Sequence, residues 1–170
     1  MTDAVPPTPQ LTDETLRSID LTRIGEGRFK ATNARGGETF IGGGGDDPDF
    51  TPVELLLAAI AGCSAADIDA ITRKRAEPST FDMVASGHKI RDEHGNHLVG
   101  LRVTVDIAFP EGEAGDAART ALPRAVAQTR DRLCTVGRTV ALGEPIEYVD
   151  VSAGDAGQPP ADGPAAPPLG

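Results

Sequence analysis

The chain has 170 residues and a formal net charge of −10, with an isoelectric point near 4.7. That charge repels a phosphate backbone and no basic stripe interleaved with aromatics offsets it, so nucleic acid is excluded as a partner. Aromatic residues make up 4% of the chain and Trp is absent, so the core is built from Leu, Ile, Val and Ala, and a core of that kind favours burial of further surface in a homodimer.

In chain order, residues 1–14 read as a Pro-rich, disordered tail, and Met1 to Pro9 has neither the basic nor the apolar part of a signal peptide. With no run of about 18 apolar residues, the expectation is a cytoplasmic protein with no membrane partner. A single domain is expected over residues 15–151. Leu21 to Thr32 alternates loosely around Gly25-Glu26-Gly27 as a hairpin does, and Asn33 to Gly37 supplies a second turn before Thr39-Phe40-Ile41. Gly42 to Gly45 lacks the Lys-Ser/Thr of a phosphate loop and is followed by Asp46, Asp47 and Asp49, which repel phosphate. It reads as a mobile loop and a candidate lid.

Thr51-Pro52-Val53-Glu54 combines an N-cap hydroxyl, Pro at the first helical position and Glu at the third, so a helix begins there and runs to about Arg75. Its first half is apolar on nearly every face and must be buried in the middle of the fold. From Phe81 to Phe109 apolar residues fall on alternate positions either side of Asp92 to Asn96, which predicts a strand pair. A second helix is expected from about Asp116 to Leu133, with Pro123 marking its start or a kink. Tyr148, Val149 and Val151 are expected to form a last strand, and residues 152–170 a disordered tail rich in Pro, Ala and Gly.

The chemistry lies with two cysteines, Cys63 in the first helix and Cys134 at the end of the second. In a reducing compartment such a pair is either buried apolar filling or a set of redox thiols, rather than a permanent disulfide. A peroxide-reducing thiol reacts as the thiolate, and its sulfenic acid needs a second thiol nearby before further oxidation. A new helical turn at Thr135 to Arg138 would offer amide N–H groups and a guanidinium to Cys134. Asp67, four residues after Cys63 and on the same helix face, would raise the Cys63 pKa. His94 and His97 fall in a polar turn with no Cys partner, so neither they nor His88 suggest a metal. No metal and no bound cofactor is assigned.

The glycine loop, Thr51-Pro52-Val53-Glu54-Leu55-Leu56-Leu57-Ala58-Ala59-Ile60-Ala61-Gly62-Cys63, and Cys134-Thr135-Val136 at the start of another helix resemble the OsmC/Ohr family over roughly residues 15–151. The resemblance implies an α+β fold in which curved antiparallel sheets surround two central helices of an intertwined homodimer. It also implies reduction of organic hydroperoxides, with Cys63 oxidised, Cys134 resolving it as a disulfide, and a dithiol reductant closing the cycle. In the hydroperoxide-resistance branch a Glu directly after the helix-starting Pro pairs with a hairpin Arg beside the thiolate. Here that position is Val53, which places the chain nearer the broader OsmC-like proteins, and of the hairpin arginines Arg23 is favoured over Arg28. A small-molecule-binding or stress-associated dimer without turnover is the alternative reading, and a dimer whose cysteines only pack is a third.

Overall fold

The computed structural model describes residues 11–151, so the tail assignments for residues 1–10 and 152–170 lie outside the described residues. The architecture is α+β. Strands β1 (Ile19–Gly25), β2 (Arg28–Asn33) and β3 (Glu38–Ile41) form an antiparallel meander, and β4 (Thr80–Asp92) and β5 (Gly95–Ala108) form a long antiparallel pair. Helix α1 (Pro52–Thr72) links the two sheets, and α2 (Glu113–Gln128), a π-helical turn (Thr129–Leu133) and α3 (Thr135–Leu142) follow β5. Gly27, Gly36 and Gly95 take positive φ at the three hairpin turns, a region that other residues occupy only with strain.

Helix α1 starts where the capping box predicts. The Thr51 hydroxyl accepts the Glu54 amide hydrogen, the Glu54 carboxylate accepts the Thr51 N–H at 2.7 Å, and Pro52 fills the first turn. These bonds hold the Glu54 carboxyl below its ordinary pKa. Thr51→Ala is expected to lower stability by about 1 kcal/mol, read as an earlier urea midpoint with an unchanged slope. Ile60, Ser64, Ile68 and Thr72 recur every four residues and form the stripe of α1 that is buried. They pack toward α2, whose Ala118 and Ala125 are fully buried small residues that permit close approach, and toward β4.

The β4–β5 pair turns one face to this helical layer. Phe81, Met83 and Ala85 lie opposite Ile107, Val105 and Val103, and these positions are half-buried while their neighbours are exposed. The pattern is the period-2 alternation read from the sequence.

The structure departs from expectation at two places. Helix α2 begins at Glu113 and runs through Pro123, because Gly112 at φ 104 turns the chain and Gly115 lies directly over the Pro110 carbonyl, where a Cβ would come within 1.8 Å. Tyr148, Val149 and Val151 form no strand; they are 88%, 70% and 81% exposed, and no edge among the described residues pairs with them. Just after the glycine loop, Arg28 pairs with both Asp47 and Asp49, Asp47 accepts the Asp49 N–H, and Ile41 bridges to Phe50.

Much apolar surface remains uncovered. Helix α1 is long and apolar enough by length and composition to cross a membrane, with a mean hydropathy of 1.6 over its most apolar window, and 17% of that window is buried within the chain. The β1–β3 sheet makes little contact with the helices or with β4–β5, and Ile19, Leu21, Ile24 and Phe40 are exposed on it.

Candidate thiol site

Cys63 and Cys134 are both free thiols, Cys63 half-buried and Cys134 2% exposed. Cys63 lies midway along α1, and Cys134 is the residue on which the π-helical turn ends and α3 begins. The extra residue per turn at Thr129–Leu133 ends with the Cys134 amide bonded to the Thr129 carbonyl, after which the backbone opens to ψ 100 and a new helix starts. Those local features carry Cys134 to α1. The two sulfurs and an oxygen of the Asp67 carboxylate all lie within 4.8 Å of one another. Closing the sulfurs to a disulfide length near 2.0 Å needs an approach of less than about 3 Å.

Both sulfurs face the N-terminus of α3. The Gly137 N–H donates to Cys134 Sγ at 3.2 Å, so the thiol serves as the N-cap of α3, and the Ser64 hydroxyl donates to the same sulfur at 3.6 Å. The neighbouring amide of Val136 donates to Cys63. Sequence reasoning anticipated amide groups at Cys134; it missed that one of them serves Cys63, and it missed Ser64, whose only signal is its place beside Cys63.

Burial pushes the Cys63 thiol above its ordinary pKa, the Val136 hydrogen bond pulls it down, and the Cys134 thiol and the Asp67 charge push it up again. The upward influences win. No arginine is among the groups acting on Cys63 within the described residues. Arg23 is exposed on β1, opposite Phe29, and its side chain makes no hydrogen bond or ion pair among the described residues. Arg28 is engaged by Asp47 and Asp49. Val53 is half-buried in the first turn of α1, and Glu54 is occupied by the cap.

A cavity of about 420 Å3 opens between α1, the β4–β5 pair and the α2–α3 region, and Cys134 is in its wall. Its lining is largely aliphatic, from Leu57, Ile60, Ile68, Met83, Val103 and Val105 among others, and Arg102 and Arg130 are its charged members. Among the described residues the histidines join no cluster of potential metal ligands: His94 and His97 sit at the exposed end of the β4–β5 hairpin and His88 lies on β4.

Comparison with known proteins agrees with this architecture. The OsmC-like protein family profile matches residues 43–149. Uncharacterized proteins of Mycobacterium tuberculosis H37Rv and Mycobacterium bovis are 30% identical over 134 residues, covering 77% of this chain and 95% of theirs. An OsmC-like protein from Mycoplasma pneumoniae superposes with a TM-score of 0.61 at 14% identity, over 75% of this chain and 89% of that one. A hypothetical protein from Aquifex aeolicus VF5 superposes with a TM-score of 0.60 at 23% identity, over 75% of this chain and 88% of that one. With a family profile spanning more than half of its length and two thiols brought together at the start of α3, the chain belongs to the OsmC-like family.

Proposed function

We propose that the protein is a thiol peroxidase that reduces organic hydroperoxides through Cys63 and Cys134. The observation that carries this reading is that two free cysteines far apart in sequence meet within 4.8 Å at a half-buried site. The Cys63 thiolate attacks the distal oxygen of the peroxide, the O–O bond breaks, and the alcohol leaves after taking a proton, so Cys63 becomes a sulfenic acid. The Cys134 thiolate then attacks the Cys63 sulfur, an S–S bond forms, and hydroxide departs as water after taking a proton. Two thiols have supplied two electrons, and an external dithiol returns them. The amides of Val136 and Gly137 hold the two sulfurs and stabilise charge on each.

The site is completed in our reading by a second copy of the chain. The exposed apolar residues of β1–β3 and the uncovered faces of α1 are the surfaces an intertwined homodimer would bury. Arg23, with no partner for its side chain among the described residues, is the cation we assign to the thiolate of the other copy. Because burial otherwise pushes the Cys63 thiol up, Arg23→Ala is expected to move the midpoint of the pH dependence of Cys63 oxidation upward by about one unit or more, measured by stopped flow with cumene hydroperoxide. An unmoved midpoint would release Arg23 from this role. The aliphatic cavity and the raised Cys63 thiol favour a second reading, a small-molecule-binding dimer with little or no turnover. Titration of the reduced protein with tert-butyl hydroperoxide separates the two: loss of both thiols and formation of one intramolecular disulfide supports the peroxidase, and persistence of free Cys63 supports the binding protein.

A further inference from the structure

The thiol chemistry has no use for Asp67. Its carboxylate lies one helical turn from Cys63, its charge opposes the thiolate that peroxide attack requires, and Oδ2 is buried with no hydrogen-bond donor among the described residues. A bound cation inverts this logic, since it stabilises neighbouring thiolates and gives the orphaned oxygen a partner. We propose that Cys63, Asp67 and Cys134 form a binding site for a divalent metal ion of the zinc class, with water at the fourth position. Their ligand atoms lie within 4.8 Å of one another. Bond lengths of about 2.3 Å to sulfur and 2.0–2.2 Å to oxygen place tetrahedral ligands about 3.5–3.8 Å apart, a distance that side-chain rotation alone can reach.

The supporting features are those a thiolate metal site needs. Two ligands come from one turn of a rigid helix at i and i+4, the spacing by which helices present paired ligands on one face. The Val136 and Gly137 amides and the Ser64 hydroxyl already donate to the two sulfurs, which orients them and spreads their charge. Two thiolates select zinc over magnesium or calcium. Cys63 and Asp67 are half-buried rather than sealed, so an ion can enter. The histidines weighed in the sequence take no part.

The experiment titrates the metal-free, fully reduced, full-length protein with Zn2+ against a chromophoric chelator, and with Co2+ as a spectroscopic probe. The expected result is one ion per chain, visible d–d bands of tetrahedral cobalt, thiolate-to-cobalt charge transfer, and release of thiol protons on binding. Asp67→Asn is expected to weaken Zn2+ binding at least about tenfold, with Asp67→Ala as the second variant should the first fold poorly by circular dichroism. Cys134→Ser is expected to lower the charge-transfer intensity. Fewer than one ion per chain, or affinity unchanged by both Asp67 substitutions, or absorption unchanged by Cys134→Ser, overturns the site. Peroxide-driven thiol loss in the metal-free wild type reports on the peroxidase reading alone, so either proposal can fail without the other.

Discussion

Cys63→Ser is expected to abolish peroxide reduction, lowering turnover by a factor on the order of 10³ or more, because a serine hydroxyl is not ionised where a thiol is and has no activating base here. Cys134→Ser should behave differently. In the proposed cycle Cys134 enters only after the O–O bond has broken, so the first oxidation of Cys63 should survive in this variant while the cycle stops after one turnover. The sulfenic acid then has no thiol within reach and should advance to sulfinic acid with excess peroxide. Intact-mass spectrometry reads both outcomes: one disulfide in the wild type, two added oxygens on Cys63 in Cys134→Ser, and no peroxide-dependent mass change in Cys63→Ser. Equal single-turnover rates in wild type and Cys63→Ser would sink the assignment of Cys63 as the attacking thiol. Cys134 is also the N-cap of α3, and serine is itself a favoured cap, so the substitution leaves the helix start in place and the redox effect can be read cleanly.

If the chain pairs as proposed, Leu56→Glu should convert that dimer to monomer or unfolded chain. Leu56 is 39% exposed on α1 within a single chain, and on a true surface a Leu to Glu change in a helix alters stability by about 0.5 kcal/mol or less. If a second copy covers this face, the same change buries an unpaired carboxylate at a cost of about 3–5 kcal/mol, which raises the dissociation constant by some hundredfold to several thousandfold. Sedimentation across a concentration series distinguishes the two cases. An unchanged dimer would place the interface elsewhere, and a wild type that stays monomeric at high concentration would remove the second copy from the site altogether. For the wild type, the melting temperature should rise with protein concentration, as it does whenever folding and association are linked.

Local chemistry was the readable part of this fold. Thr51, Pro52 and Glu54 announce the start of α1 because each residue acts within four positions of itself. Gly27 and Gly95 mark their hairpins for the same reason, and the alternation of Met83 to Ala85 against Val103 to Val105 shows its face without reference to the rest of the chain. Readability ended where an element depends on something distant. The Pro110 carbonyl that demands glycine at 115 moves the start of α2 upstream of the predicted boundary, and Pro123 continues a helix already nucleated by then. Tyr148 to Val151 has strand composition with no edge to meet among the described residues. At the site, the two cysteines and the influence of Asp67 were visible as residue types at a spacing, whereas the Val136 amide at Cys63 and the Ser64 hydroxyl at Cys134 exist only because the π-helical turn delivers α3 to α1.

The first turn of α3 is fastened to the two sulfurs themselves, through the Gly137 and Val136 amides. A thiolate is a strong acceptor for those amides and a disulfide sulfur a weak one, so electron loss at the cysteines removes the anchor of an adjacent helix. In the proposed cycle the secondary structure near residue 135 would become a readout of oxidation state, tight while the sulfurs carry charge and slack once they are joined. A reductant approaching the disulfide would then meet a loosened helix end in place of a closed one.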